Sequence, residues 1–259
     1  MILWVSSKSD DSMDITTEIA FVETQLTSGH EPEITRAFNL LQQAVDLDLQ
    51  TQARLAQRLS RYLAEDNKTS HIVAALHCLY IFDDAQPFKT AVLNLGKSKR
   101  QAIRLAVASC LSDFGVWNAS KEDFFVDEDI VTLALLLMRD TSPSVRDWAV
   151  FQFNNGIAND SAEIRAALHA RVQDTNRATK QEAIVALTAR GETRYVPFIK
   201  EKLHRIDVAP IWIEAAAVSH DKSFIIHLET LLEKRQQSVS YGSRELVENI
   251  KEAIARLSK

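Results

Sequence analysis

Glycine and proline are scarce in this chain, which contains 6 glycines and 5 prolines among 259 residues. Because these residue types supply most tight turns, their scarcity argues against a turn-rich β-fold and favours long helices joined by short loops. The hydrophobic fraction of 46% is ordinary for a globular protein and is enough for an extended core. Composition therefore predicts an all-α chain.

Basic residues are not in excess, since 30 lysines and arginines face 35 aspartates and glutamates, for a formal net charge of −5. Proteins that follow a nucleic-acid backbone usually carry a basic surplus, because neutralising phosphates supplies most of their affinity. The charge balance therefore disfavours nucleic acid as a partner.

Long apolar runs are also lacking. The longest, Ile130 to Met138, is interrupted by Thr132 and is too short to cross a bilayer. The first residues, MILWVSSKSDD, lack the basic start and the apolar stretch of a signal peptide. We expect a cytoplasmic protein with no membrane contact.

Residues that carry chemistry are few and scattered. Cys78 and Cys110 make no disulfide framework, and the seven histidines form neither a His-x-x-x-His pair nor a zinc pattern with them. The stretch LNLGKS (93–98) ends like a phosphate-binding loop, but Ala91 stands where that loop needs glycine. We therefore predict no enzymatic activity, no metal and no cofactor.

What is present is a recurring spacing. In RDTSPSVRDWAVFQFNNG (139–156), Asp140 is followed six residues later by Arg146, and Ala149 comes three residues after that. Comparable triplets begin at positions 66, 98, 140, 174, 207 and 238. The steps between these positions lie in the thirties, except for one of 42 between the second and the third. A near-constant period of this length indicates a stack of repeats.

Each repeat reads as two helices with apolar residues at helical spacing. The predicted pairs are 50–65 with 69–82, 86–96 with 99–113, 128–139 with 143–155, 161–173 with 177–190, 194–205 with 209–219, and 222–235 with 239–257. Asn154–Gly156 is interpreted as the segment that ends the second helix of the third pair. Residues 12–47 hold one or two further helices. We therefore predict an N-terminal helical cap over 1–47 and one continuous solenoid domain over 48–259.

This pattern resembles the HEAT repeat, in particular the bacterial lyase-type HEAT-like repeat. Residues 130–257 carry the resemblance best, in LLLMRDTSPSVRDWAVFQF and RVQDTNRATKQEAIVALTARGETRYVPFIKEKL. The resemblance implies a right-handed α-solenoid of about six HEAT-like helical hairpins behind the N-terminal cap. It also implies a structural ladder between adjacent repeats, made by turn aspartates and second-helix basic residues: Asp140, Arg146, Asp174 and Lys180. In the fifth repeat Ile213 replaces the basic residue.

The residue before the small residue of each second helix belongs to a candidate binding stripe. In three successive repeats it is Trp148, Glu182 and Glu214, and Asp147 and Glu245 lie nearby in the sequence. Second helices of such solenoids line the concave face, which is the usual binding surface. Carboxylates with one tryptophan suit a basic protein partner, with the tryptophan as anchor. Alternatively, the glutamates are a solvated face and the tryptophan fills a gap between repeats.

The long step between the second and third repeats places extra residues near FGVWNASKEDFFVDED (114–129), which holds four aromatic residues among acidic ones. Insertions in repeat arrays go to loops, often at the binding face. We predict a loop here, in which Trp117, Phe124 and Phe125 are candidate partner-binding residues if they are exposed. The alternative is that these aromatic side chains pack back onto the stack and seal a wider joint.

Repeats without catalytic groups predict a non-enzymatic protein-binding scaffold. Residues 143–257, in VRDWAVF, QEAIVAL and IEAAAVSHDKSFIIHLETLL, also resemble bacterial HEAT-repeat proteins encoded beside Rhs-type polymorphic toxins. That resemblance implies an immunity protein that neutralises a secreted toxin. The alternative is a HEAT-like enzyme, either a bilin lyase or a DNA glycosylase for alkylated bases, although the glutamates of the stripe would repel phosphates.

Overall fold

The computed structural model describes residues 15–44, 47–121, 123–236 and 243–259, and of 15–18 and 243–244 it describes the backbone alone. Ser238, the first position of the sixth predicted repeat, and the start of the predicted cap lie outside these residues. The described α-helices are α1 (Ile15–Gln25), α2 (Glu31–Leu41), α3 (Leu49–Leu59), α4 (Thr69–Leu76), α5 (Lys89–Leu95), α6 (Gln101–Ser109), α7 (Glu128–Leu137), α8 (Pro143–Asn154), α9 (Ala162–Arg171), α10 (Arg177–Ala189), α11 (Val196–Leu203), α12 (Pro210–Val218), α13 (Ile225–Gln236) and α14 (Ser243–Ser258).

The helices pair as the repeat period predicts. Five pairs pack directly in chain order, from α5 with α6 to α13 with α14, and α1 with α2 forms a further pair. Between them, the 3₁₀ turn Ser60–Tyr62 contacts both α3 and α4. Short 3₁₀ turns extend several of these helices: Ser60–Tyr62, Leu79–Ile81, Gln86–Phe88, Leu111–Phe114, Thr193–Tyr195 and Lys222–Phe224. The prediction of an all-α, helical-repeat fold is confirmed.

The chain forms two compact units, with the boundary between Asp113 and Phe114. In the N-terminal unit, α1 and α2 pack on each other and against α3 and α4, and α4 packs on α6. The C-terminal unit contains α7 to α14 and a short β-hairpin. The candidate stripe, the ladder residues and the aromatic insertion all belong to the C-terminal unit.

Polar residues at the helix starts explain where several helices begin. The side chains of Asp48, Asp127, Ser161 and Asn176 each accept a hydrogen bond from a backbone N–H in the first turn of the helix that follows. These bonds satisfy donors that a helix leaves open at its N-terminus. Local sequence therefore sets the helix starts.

In the C-terminal unit, the second helices of successive hairpins pack side by side, in the order α8, α10, α12 and α14. The small residues at their contacts, Ala149, Ala183 and Ala216, are completely buried. An alanine at the contact brings two helix backbones close together, because only a methyl group separates them. The result is a continuous row of second helices. We call the side of this row that carries Glu182 and Glu214 the second-helix face.

The insertion predicted as a loop contains two short β-strands, which form a β-hairpin. Strands β1 (Val116–Asn118) and β2 (Asp123–Phe125) are antiparallel, with Trp117 opposite Phe124. Aromatic residues facing each other across strands stabilise such a pair, and the Lys121 N–H donates to the Asn118 carbonyl (3.1 Å) where the chain turns. With three residues in each strand, the alternation was too short to be recognised as β-structure.

Candidate partner-binding surfaces

The side chains of α8, α10 and α12 meet on the second-helix face. The Asn154 amide nitrogen donates to Glu182 Oε2 (3.0 Å) and to Glu214 Oε1 (3.2 Å). Asn154 lies on α8 and Glu214 on α12, with α10 between them. Since neighbouring helix axes are about 8–10 Å apart, side chains two helices apart meet above the middle helix only where the row curves towards them. The row from α8 to α12 is therefore concave on this face.

The two glutamates lie in a partly buried environment, where the positive charge of Arg256 opposes the rise in the pKa of Glu214. Burial raises the pKa of Glu182 to about 7, against the lowering effect of the Asn154 hydrogen bond, and the charges of Glu214 and Asp147 add to the rise. Burial also raises the pKa of Glu214. The Asp147 carboxylate accepts a hydrogen bond from the Thr179 hydroxyl (3.2 Å), and burial raises its pKa as well.

Hydrogen-bond acceptors outnumber donors at this point. Asn154 Oδ1 is buried and has no hydrogen-bond partner among the described residues, while the amide nitrogen of the same side chain serves both glutamates. We call Asn154 Oδ1 and the carboxylates of Glu182 and Glu214 the acceptor cluster. Two carboxylates that share one donor group keep unused lone pairs, which can accept N–H donors from outside.

The remaining residues of the predicted stripe do not join the acceptor cluster through any described contact. Trp148, on α8, leaves 42% of its surface exposed, and its ring stands edge-on to Phe151 with 5.3 Å between centroids. Glu245, on α14, is exposed. The structure therefore brings together two of the five predicted stripe residues.

Arg146 links two successive hairpins. Its guanidinium donates to both carboxylate oxygens of Asp174 at 2.8 Å, and also to the backbone carbonyls of Asp140 (2.9 Å) and Thr141 (3.2 Å). The Asp174 side chain is almost completely buried, and the hydrogen bond from Arg146 lowers its pKa to about 2. Asp174 also accepts from Arg171 at 2.8 Å. This is the contact that the HEAT resemblance implies for these two residues.

The same contact does not repeat one hairpin later. Lys180 occupies the position equivalent to Arg146, but it has no ion pair among the described residues. The aspartate that would be its partner, Asp207, instead receives two bonds from Arg205 (3.0 and 2.8 Å). In the N-terminal unit, Arg104 does repeat the carbonyl contacts of Arg146, since it donates to the backbone oxygens of Ser98 (2.8 Å) and Lys99 (3.2 Å).

The four aromatic residues of the insertion, Phe114, Trp117, Phe124 and Phe125, are divided between core and surface. Phe114 is buried, whereas 52% of Trp117 and 46% of Phe124 are exposed. These two rings pack edge to face across the strands at 5.0 Å, and Lys121 lies over the partly buried ring of Phe125 at 4.5 Å. The interpretation that these aromatics seal a joint is therefore wrong for Trp117 and Phe124.

Segment 157–160, which follows α8, fastens the hairpin to the helices. The Ala158 N–H donates to the Phe124 carbonyl (3.0 Å), and Asn159 exchanges two bonds of 2.9 Å with the backbone of Val126. Arg190 holds this segment by donating to the carbonyl oxygens of Ile157 (2.6 Å) and Asn159 (3.0 Å).

Sequence reasoning missed two of these residues. Asn154 was interpreted only as part of a helix end, and nothing in its spacing indicates a bridge between glutamates 28 and 60 positions away. Arg190 stands just before the glycine that ends α10, where its guanidinium also donates to the Phe153 carbonyl (2.8 Å). Burial lowers the pKa of Arg190 to about 10.

Metal-binding and membrane-spanning features were also sought over the described ranges. Within them, no group of three or more histidine, cysteine, aspartate or glutamate side chains is placed to hold a metal ion. None of the helices described above has both the length and the apolar character needed to cross a membrane.

Comparison with known proteins establishes the fold. No protein-family model matches the chain. Over 108 residues, or 42% of its length, the chain is 32% identical to Protein YibA of Escherichia coli strain K12, and the same values hold for Protein YibA of E. coli O157:H7. The chain covers only 38% of the length of these curated relatives.

The X-ray structure of E. coli YibA superposes on the chain with a TM-score of 0.56 at 20% sequence identity. The superposition covers 94% of this chain and 82% of that one. At this level of identity the likeness shows a shared helical-repeat fold.

Proposed function

We propose that this chain is a non-enzymatic, HEAT-like scaffold that binds a basic protein through the second-helix face of its C-terminal unit. In this proposal the acceptor cluster receives a lysine or arginine side chain of the partner. Trp148, exposed on α8 of the same row, provides an apolar anchor. The observation that carries the proposal is the excess of half-buried acceptors over donors around Asn154.

The chemistry of the cluster favours a cation over other ligands. An ammonium or guanidinium group offers only donors, and it would serve the two carboxylates together. A phosphate or an acidic peptide would be repelled by Glu182 and Glu214. The pKa of Glu182 is raised mainly by burial and further by the charges of Glu214 and Asp147, and a partner's positive charge would oppose this rise by stabilising the ionised carboxylate.

The test compares two charge-matched variants. Glu182→Gln with Glu214→Gln removes both charges from the acceptor cluster, and Glu229→Gln with Glu233→Gln removes two charges from exposed positions on α13. The partner captured from host extract with the unaltered chain is purified, and its affinity is measured calorimetrically at fixed salt. We expect about tenfold weaker binding or more for the first variant and little change for the second, because losing a buried charge partner mainly increases dissociation.

Equal affinities for both variants would contradict the proposed site, as would a captured partner with an acidic contact surface. The anchor is tested separately with Trp148→Ala, for which we expect about tenfold weaker binding. Ile226→Ala is its control, since 63% of that residue is exposed on α13 in the same unit.

The β-hairpin is a second candidate contact for a partner, because Trp117 and Phe124 form an exposed aromatic pair. Replacing both with serine should weaken binding if the partner reaches the hairpin. Binding that survives this change but is lost on neutralising Glu182 and Glu214 would assign recognition to the second-helix face alone.

Immunity against a secreted toxin is the specific role that we propose within this function. It rests on the resemblance of residues 143–257 to HEAT-repeat proteins encoded beside Rhs-type toxins. A basic toxin domain would match the acceptor cluster in charge. Co-expression with a toxin domain encoded next to this chain should restore growth, and the neutralised cluster variant should fail to restore it.

The enzyme alternative is tested directly with DNA. A glycosylase would require binding to duplex DNA that weakens with added salt. We expect no electrophoretic shift at low salt, and a salt-sensitive shift would contradict the scaffold proposal.

A further inference from the structure

A basic cavity lies in the C-terminal unit, at the N-terminal ends of α10 and α12. Its volume is about 440 Å³, within the range of small-molecule sites. Four basic side chains and one carboxylate line it: Arg177, Lys180, Lys202, Arg205 and Asp207. The cavity is thus positively charged in a protein whose net charge is −5.

Local partners neutralise only part of this charge. Arg205 and Asp207 bind each other through two bonds of 3.0 and 2.8 Å, and the Lys202 ammonium contacts Glu201 at 3.1 Å. Arg177 and Lys180 have no acidic partner among the described residues. Two positive charges therefore face the cavity without compensation.

Helix stability does not explain the position of these charges. Arg177 is the first residue of α10 and Lys180 the fourth, at the end where the helix dipole disfavours cations. Arg146 holds the equivalent position on α8, where the buried carboxylate of Asp174 neutralises it. At Lys180 the basic residue is present and the acid is not, so an external anion would neutralise the side chains of Arg177 and Lys180.

An aromatic pair forms an apolar part of the same cavity. Phe198 and Trp212 pack edge to face at 5.1 Å, and Lys202 lies over the Phe198 ring at 4.5 Å. Trp212 is 96% buried, given its relative exposure of 4%, and its indole N–H has no acceptor among the described residues. The ring of a ligand would contact this apolar part of the cavity.

We propose that this cavity binds a small organic anion in which a phosphate or carboxylate group is attached to a planar or apolar ring. Arg177 and Lys180 hold the anionic group, and Phe198 and Trp212 contact the ring. The proposal is independent of the acidic second-helix face, because its site has the opposite charge and shares no residue with the acceptor cluster.

The experiment titrates four probes into the full chain at constant ionic strength and follows binding by calorimetry. The probes are phenyl phosphate, benzoate, inorganic phosphate and phenol. We expect phenyl phosphate or benzoate to bind with a dissociation constant of about 1 mM or tighter, which is reasonable for ligands of this size. Inorganic phosphate should bind about tenfold more weakly and phenol not measurably, since each lacks one half of the recognised group. Comparison of phenyl phosphate with benzoate identifies the preferred anion.

Two charge-matched variants distinguish binding in this cavity from non-specific attraction of anions to the protein. Arg177→Gln with Lys180→Gln should weaken ring-bearing anions by about tenfold or more. Lys222→Gln with Lys234→Gln makes the same charge change at exposed positions of the same unit and should leave binding unchanged. Thermal melting of both variants shows whether the fold is retained, and Phe198→Leu should reduce the advantage of phenyl phosphate over inorganic phosphate.

Several results would overturn the proposal. They are the absence of binding by every probe, equal losses in the cavity and control variants, and equal affinities for phenyl phosphate and inorganic phosphate. A single-stranded oligonucleotide serves as an additional probe. If it binds through Arg177 and Lys180 while no small probe binds, the cavity recognises a nucleic-acid backbone and the small-ligand proposal is wrong.

Discussion

Replacing Glu182 with glutamine should stabilise the C-terminal unit at alkaline pH. In the folded chain the pKa of this carboxyl is raised by burial to about 7 from an ordinary value of 4.5. The folded state therefore binds the proton more tightly than the unfolded state does, and ionisation above that pKa disfavours folding. The free energy of unfolding should therefore fall as the pH rises from about 4.5 to about 7, and should then level off.

The magnitude follows from the distance between the two pKa values. Each pH unit between them corresponds to about 1.4 kcal/mol, which would give about 3 kcal/mol for a fully desolvated group. Glu182 keeps partial access to solvent, and screening reduces the expected effect to about 1–2 kcal/mol. Glutamine retains an oxygen that can accept the Asn154 bond, and its amide can donate to Glu214.

Urea unfolding at pH 5 and pH 8 tests this prediction. Intrinsic fluorescence reports mainly on the C-terminal unit, because this unit contains three of the four tryptophans: Trp117, Trp148 and Trp212. We expect Glu182→Gln to raise the free energy of unfolding by about 1–2 kcal/mol at pH 8, with no more than about 0.5 kcal/mol of change at pH 5. Glu229→Gln, an exposed control on α13, should change neither value.

An equal effect at both pH values would refute the reasoning, and so would destabilisation at pH 8. The expected result also bears on function. A cluster variant that is more stable but binds its partner less well would indicate that the glutamates are kept for binding at the expense of stability.

Three further predictions concern single side chains. Arg146→Met should lower the free energy of unfolding by about 2–4 kcal/mol, because it leaves the buried Asp174 with Arg171 as its only cationic partner beside the Asn176 N–H. It should also reduce the stability loss otherwise expected as the pH falls from about 4 to about 2, and an acid limb identical to that of the unaltered chain would contradict this. Arg190→Met should lower the free energy of unfolding by about 2–4 kcal/mol, because it leaves the carbonyl oxygens of Ile157 and Asn159 without donors. It should also speed amide exchange in segment 157–160, and unchanged exchange there would refute the role of Arg190 in holding this segment. Cys78 and Cys110 should resist a thiol reagent at pH 8 until urea unfolds the chain. Burial raises the pKa of Cys78 to about 12 and that of Cys110 also well above its usual range, so neither forms the reactive thiolate in the folded chain. Rapid labelling of the folded protein would contradict this.

The helical-repeat fold could be predicted because its signals are local. Apolar residues at helical spacing, capping residues such as Ser161, and the terminating Gly191 with its positive φ of 80° each act within one or two turns of chain. Their recurrence with a period near thirty residues then predicts that the hairpins stack. The β-hairpin was not predicted, because its three-residue strands are shorter than the window in which alternation can be recognised.

Pairings between repeats were predictable only where the whole repeat pattern is kept. Arg146 reaches Asp174, although Arg171 donates to the same carboxylate. Lys180 has no such partner, since both oxygens of Asp207 accept from Arg205, two residues away. Which basic residue pairs with a turn aspartate therefore depends on the neighbours of that aspartate as well as on the repeat spacing.

Sequence alone determined which segments are helical, how they pair and which small residues lie at helix contacts, because these depend on periodicity within a few turns. The tertiary structure decided which polar groups meet. Asn154 bridges Glu182 and Glu214 only because α8, α10 and α12 curve towards one face. The basic cavity likewise forms only where the starts of α10 and α12 converge with α11. Such meetings depend on the stagger and angle between helices, which the packing of the entire unit sets and no short stretch of residues encodes.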